Sequence, residues 1–242
     1  MTRQHQPTSH VEIDGRAVAV HVKLNTRARG YVVRLDPRSG QVVVVRPARG
    51  SVKKALNFAQ ENRSWIAARL KERPSQILFE ENCVIPFKDI PHTITNCRQA
   101  QRGVWAQAAP EQTELPRLCV SGRPEHCARR LTDWLKREAR NDLTARTAQH
   151  TKTLGLPNCR IQVRDPFSRW GSCSSTGTLS FSWRLIMAPE FVLDYVAAHE
   201  SAHLKHLNHG KRFWALVDQL TSRRVQAENW LTKQGPDLHR YG

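Results

Sequence analysis

The segment from Tyr195 to Gly210, YVAAHESAHLKHLNHG, restricts the fold of this chain more than any other. His199 and His203 stand four residues apart, with Glu200 directly after the first. In a helix that spacing puts both imidazoles on one face, about 6 Å apart along the axis, so both can reach one metal ion. Pro189 suits a first helical turn, where its missing N–H costs nothing, and the apolar residues keep helical spacing as far as Leu207. The chain must therefore give one helix face to chemistry while packing the other.

The order of residues sets their roles. Glu200, one position on from His199, can reach a water on the metal without being a ligand, which is the placement of a general base. A catalytic zinc takes three protein ligands and leaves the fourth position to water, so a third ligand is needed. His206 shares the face of His199, but a third consecutive ligand on a straight helix would lie about 10 Å from the first, which is awkward for tetrahedral closure. His209 stands ten residues after His199, the spacing of HExxHxxGxxH enzymes. Asn208 and Gly210 beside it can take the left-handed conformations that turn a chain back. His206 occupies the glycine position of that pattern, so the turn is expected later or in another shape. This reading favours one zinc per chain on His199, His203 and His209, with His206 solvated or behind a ligand.

Along the rest of the chain, Val18, Val20, Val22 and Leu24 alternate with other residues, and YVVRLDPRSGQVVVVRP reads as two antiparallel strands around a Pro/Gly turn. Ser51 caps a helix through Val52, Leu56, Trp65, Ile66 and Leu70 that Pro74 ends, about six turns in all. Short strand-like runs fill residues 83–121. From Pro124 a long helix carries Leu131, Trp134, Leu135, Ala139 and Leu143 on one face until Gly155 and Pro157 stop it. RIQVR (160–164) and TLSFSWRLIM (178–187) read as strands flanking the loop RWGSCSSTG (169–177), and two helices follow Gly210. Trp65, Trp134, Trp214 and Trp230 sit at apolar helical positions and are assigned to the core. No internal repeat stands out. The expected layout is a disordered tail (1–10), a β-rich subdomain (11–122) with a helix over 51–73, a domain holding the histidines (123–234) and a tail (235–242), an α+β fold.

Of the 242 residues, 39% are hydrophobic and 24% charged, which excludes a disordered chain and suffices for a sizeable core. No apolar run approaches the roughly 18 residues needed to cross a bilayer, and MTRQHQPTSH lacks the apolar centre of a signal peptide. A cytoplasmic protein with no membrane partner is expected. Six cysteines without a CxxC pair read as reduced thiols and speak against a cysteine zinc site. Lys and Arg number 38 against 21 Asp and Glu, a net charge of +17, and residues 1–75 alone carry 15 basic and 5 acidic side chains. Such a surface either attracts polyanions such as non-specific DNA or serves solubility. Arg27, Arg29, Lys53 and Lys54 are the candidate nucleic-acid contacts, in loop or helix-start positions, whereas Arg34 and Arg46 are placed over the sheet.

RWGSCSSTGTLSFSWRLIMAP followed by YVAAHESAHLKHLNHGKRFW resembles the YgjP-like group of zinc metallopeptidases, related to the SprT-like proteases, over nearly the whole chain. The resemblance implies a zincin-like metallopeptidase domain behind a basic β-rich N-terminal part. It also implies zinc on His199, His203 and His209, Glu200 as catalytic base and a protein or peptide substrate. The SprT-like relatives add proteins attached to nucleic acid as a target class. This sequence departs from the usual pattern at Ser201, commonly Leu, and Gly210, commonly Ser. Arg169 and Trp170 of the RWGSC loop are candidate substrate contacts, Arg169 for a carbonyl or carboxylate, although Trp170 serves equally well as a core anchor. Ser182 and Trp183 join them if their strand is an edge that pairs with an extended peptide. Cys173 reads as a buried thiol rather than a ligand.

Overall fold

The computed structural model describes residues 9–36, 40–72, 75–97, 102–109 and 111–242. The expected turn at 37–39, Pro74 and residues 1–8 of the expected tail lie outside the described residues. In the first of two units, Met1–Ser75, strands β1 (Ser9–Ile13) and β2 (Arg16–Leu24) meet at Asp14 and Gly15. Both have left-handed φ, 49° and 72°, as a two-residue hairpin compatible with strand twist requires. With β3 (Val32–Leu35) and β4 (Val42–Arg46) they form a sheet ordered β1-β2-β4-β3, in which β2 and β4 run parallel and the other pairs antiparallel. Val20, Val22, Val42 and Val44 are buried with Ala55, Ala59 and Ile66 of the following helices.

Three expectations change in this unit. Ser9 and His10 are not disordered but pair with Val20 and Ala19 in β1. The six-turn helix is two helices, α1 (Val52–Glu61) and α2 (Arg63–Lys71), broken at Asn62 with φ −95° and ψ 17°. Its side-chain amide donates to the Phe58 carbonyl at 2.7 Å, the competition for helix carbonyls that makes asparagine a poor interior residue. Trp65 is 42% exposed, with the Arg69 guanidinium over its ring, and so leaves the core.

The second unit, Gln76–Gly242, begins well before the boundary expected near 122. Ile85, Ile94 and Leu118 share one core with Leu131, Phe181 and Val196, so the strands of 83–121 pack with the histidine-bearing part. Strands β5 (Val84–Phe87), β6 (Ile90–Asn96), β7 (Val104–Gln107) and β8 (Arg117–Val120) form a sheet ordered β5-β6-β8-β7. The long helix α3 (Cys127–Thr153) buries Leu131, Leu135, Ala139 and Leu143, and ends at Gly155, whose φ of 66° lets its N–H and that of Leu156 cap the last turn. Strands β9 (Ile161–Arg164), β10 (Gly171–Cys173) and β11 (Leu179–Ser182) form a three-stranded sheet with β11 in the centre.

Helices α4 (Glu190–Ala202), α5 (Lys211–Leu220) and α6 (Arg224–Lys233) complete this mixed α+β chain. One third of RWGSCSSTG, Gly171–Cys173, is therefore strand, and TLSFSWRLIM turns into a 3-10 helix at Trp183–Met187. Residues 235–242 are docked, not a tail. Leu238 is buried, and buried Arg184, held by Asp165 at 2.8 Å, donates to the carbonyls of Leu238 and Tyr241. Among the described residues, no helix is long and apolar enough to cross a membrane.

Candidate active site

Helix α4 carries His199 on its last turn and ends at Ala202, leaving His203 as its C-cap. The chain reverses over 203–206 by short-range bonds, Leu204 N–H to Ser201 O and Lys205 N–H to Ala202 O. The turn thus comes earlier than expected and without left-handed residues, since Gly210 has φ −82° and Asn208 is not among the positive-φ residues. His206 falls off the helix. Its carbonyl accepts from His203 Nδ1 at 3.0 Å, which leaves His203 Nε2 as the free ligand atom. His209 then swings back. Ligand nitrogens of His199, His203 and His209 all lie within 4.8 Å of one another, and the Nε2 atoms of His199 and His209 face each other at 3.1 Å.

Supporting residues close around this triad. Phe213 is fully buried and its ring lies 4.5–4.9 Å from all three imidazoles. Trp214 stacks on His209 with ring centroids 5.5 Å apart, and the Arg224 guanidinium lies 5.0 Å from the Trp214 ring. Tyr195, one turn before His199, has its hydroxyl 3.4 Å from His199 Nδ1 and donates to Glu228 of α6 at 2.9 Å. Of these residues only Trp214 has an assignment from sequence, to the core; Phe213, Tyr195 and Glu228 are not among the expected site residues. The one available hint was the helical spacing of Tyr195 and His199.

Burial dominates the electrostatics. It pushes His199 down to about 4, helped by charge on His203 and His209, and lowers His203 as well. Both imidazoles are therefore neutral and ready to ligate at neutral pH. Glu200 is pushed up to about 7 by burial, against a smaller opposing pull from Arg169. Its Oε2 is buried without a hydrogen-bond partner among the described residues. The carboxylate rests on Gly171 of β10, where a Cβ would stand 2.5 Å from Glu200 Oε1. That clearance explains the glycine of RWGSC.

The other candidates divide. Arg169 is exposed and its charge reaches Glu200. Trp170 is stacked on His239 at 5.0 Å and packed against Gly235, the anchoring arrangement. Ser182 and Trp183 are buried, and β11 is paired on both sides, so the expected edge-strand role is closed to them; β10 is the edge strand beside α4. Cys173 is outside the ligand cluster, its thiol pushed up by burial. In the first unit Arg27, Arg29, Lys53 and Lys54 are all exposed. Bonds from Asn25 N–H to Arg46 O and from Ser51 N–H to Tyr31 Oη tie their two segments to one end of the sheet.

Three imidazoles closing on one point fit a divalent metal. Zinc–nitrogen bonds of 2.0–2.1 Å at tetrahedral angles separate ligand nitrogens by about 3.3 Å, close to the 3.1 Å between His199 and His209. Glu200, next to His199 in the chain, has a buried carboxylate oxygen with no hydrogen-bond partner among the described residues. Residues 32–234 match the family described as YgjP-like, metallopeptidase domain, and the chain belongs to the YgjP-like family. Membership of a metallopeptidase family implies a divalent metal. No curated protein matches the chain. Two solved structures align with it, the metallopeptidase zymogens of Pyrococcus abyssi abylysin and Methanocaldococcus jannaschii jannalysin. They are 21% and 19% identical, each with a TM-score of 0.35, over 38% of this chain and 95% of theirs.

Proposed function

We propose that this chain is a zinc-dependent peptidase with one zinc on His199, His203 and His209 and Glu200 as general base. The observation that carries the reading is the buried, unpartnered Oε2 of Glu200 next to three converging imidazoles. Zinc bound there supplies a Lewis acid that acidifies water and polarises a carbonyl. Glu200, poised near neutrality by burial, takes a proton at its carboxylate and passes it to the leaving amine. The free edge of β10 is the place for an extended peptide to pair, with Arg169 beside it. Glu200→Gln is expected to keep zinc and fold while losing nearly all hydrolysis. Zinc content by elemental analysis should fall in His209→Ala and persist in His206→Ala, and the reverse pattern refutes the ligand set.

The charge of residues 1–75 supports a finer reading in which the substrates are proteins associated with nucleic acid, with Arg27, Arg29, Lys53 and Lys54 as non-specific phosphate contacts. Reversing these four charges should weaken DNA binding and its salt dependence without changing zinc content. The alternative is a basic nucleic-acid-binding protein with a structural or vestigial zinc site, and it predicts that Glu200→Gln matches wild type in peptide-hydrolysis and DNA-binding assays.

A further inference from the structure

The sheets β1–β4 and β5–β8 follow one path. Each opens with a hairpin whose two turn residues both have left-handed φ, Asp14 and Gly15 in the first, Lys88 (53°) and Asp89 (67°) in the second. Each then pairs its second and fourth strands in parallel and returns its third strand antiparallel to the fourth. The registers match residue for residue. Val20 opposite Val42 corresponds to Ile94 opposite Leu118, and Val33 opposite Val44 to Val104 opposite Val120. A helix follows each sheet, and counting on in step places buried Ala55 and Ala59 of α1 at Leu131 and Leu135 of α3. The chain therefore contains an internal structural repeat, and Lys53 and Lys54 correspond to Arg129 and Arg130.

The two copies differ in the space between strand end and helix start. In the first, Tyr31 lies across the space between strand end and helix start, its hydroxyl accepting from Ser51 N–H at 2.9 Å. In the second, Arg102 takes the Tyr31 position and the equivalent space is an open cavity of about 780 Å³. Arg102, Arg130 and Arg137 line it together with Trp134. Arg130 donates to the Ser121 carbonyl and lies against Gly122, whose φ of 105° and missing side chain leave room for the guanidinium. Neither Arg102 nor Arg130 has a carboxylate partner among the described residues. The one acid in the lining, Asp133, is 3.4 Å from Arg129, and Arg137 has only an exposed contact with Glu138 at 3.6 Å.

We propose that this cavity is a binding site for a phosphoryl group, from a nucleic-acid backbone or a free phosphate ester. Guanidinium forks match phosphate oxygens in pairs, and three of them at one cavity leave a surplus of positive charge that an anion would neutralise. The site contains none of the histidine-site residues and none of the four basic candidates of the first unit. Its test therefore stands apart from the peptidase reading.

The probes are pyrophosphate, followed by titration calorimetry, and a labelled single-stranded oligonucleotide, followed by fluorescence anisotropy, both with the full chain at low salt. Arg102→Ala/Arg137→Ala is the informative variant because both side chains are exposed, whereas Arg130 also holds a backbone carbonyl. Pyrophosphate affinity is expected to fall about tenfold for each arginine removed and to persist in Lys53→Glu/Lys54→Glu. Unchanged zinc content and thermal midpoint exclude a folding defect. A parallel loss of oligonucleotide binding, with the salt slope reduced by about 2, identifies a nucleic-acid backbone as the source. Loss of pyrophosphate binding alone identifies a free phosphate ester. Absence of pyrophosphate binding in wild type, or equal affinity in the double variant, overturns the proposal.

Discussion

Gly171→Ala tests how the RWGSC segment serves the site. The new Cβ would stand 2.5 Å from Glu200 Oε1, 2.6 Å from its Cγ and 2.8 Å from its Cδ, all well inside ordinary contact distance. Glu200 is only 5% exposed, so it has no solvent to retreat into. Relief requires either the carboxylate or the β10 edge to move by roughly 1 Å, and overpacking of this kind costs about 1–3 kcal/mol. A misplacement of that size in a catalytic group costs on the order of 10²-fold in rate. The three atoms nearest the new Cβ all belong to Glu200 and none to a histidine. Metal affinity from chelator competition should therefore stay at the wild-type value while peptide hydrolysis falls by about two orders of magnitude. Urea unfolding followed by tryptophan fluorescence should show the stability loss. Full activity with unchanged stability would mean that Glu200 does not rest on this strand when the enzyme works.

Three further outcomes follow from the same contacts. In metal-free protein, the lowered His199 makes stability rise with pH between about 4 and 6.5, because the unfolded state binds the extra proton there, whereas the raised Glu200 makes it fall between about 4.5 and 7. Glu200→Gln removes only the second effect, so urea midpoints should show the variant gaining on wild type by up to about 3 kcal/mol as pH rises through that window, and a pH-independent difference contradicts the burial argument. Ser201 is fully buried and its hydroxyl has no hydrogen-bond partner among the described residues, so Ser201→Ala should raise stability by about 1 kcal/mol, read as a higher thermal midpoint. Tyr195→Phe cuts the link from His199 Nδ1 to Glu228 and should weaken zinc binding by about tenfold in chelator competition while leaving the metal-free midpoint nearly unchanged.

Periodicity and spacing carried the parts of this protein that depend on neighbours in sequence. The i,i+4 histidines, the proline before α4, the long face of α3 and the alternation in β2 and β4 are local patterns that backbone geometry converts directly into structure. The return of His209 was legible from its distance along the chain, but not the turn that achieves it. Main-chain bonds at 201–206 reverse the helix where left-handed residues were expected. The Asp14-Gly15 hairpin was equally local and was passed over, its first strand beginning inside the expected tail of residues 1–10.

What the tertiary structure decided involves partners distant in sequence. Burial of Glu200 against Gly171, support of His199 by Glu228 through Tyr195, and anchoring of Trp170 by His239 join elements whose relative placement no local pattern encodes. The unit boundary at Ser75 arose the same way, because only packing in one core with α3 assigns the strands of 83–121 to the histidine-bearing unit. The repeat was invisible for a related reason. Its two copies share registers and buried positions, such as Val20 with Ile94 and Val42 with Leu118, and a sheet face accepts any apolar side chain of suitable size there. Strand pairing and side-chain volume kept the path while the residue identities diverged.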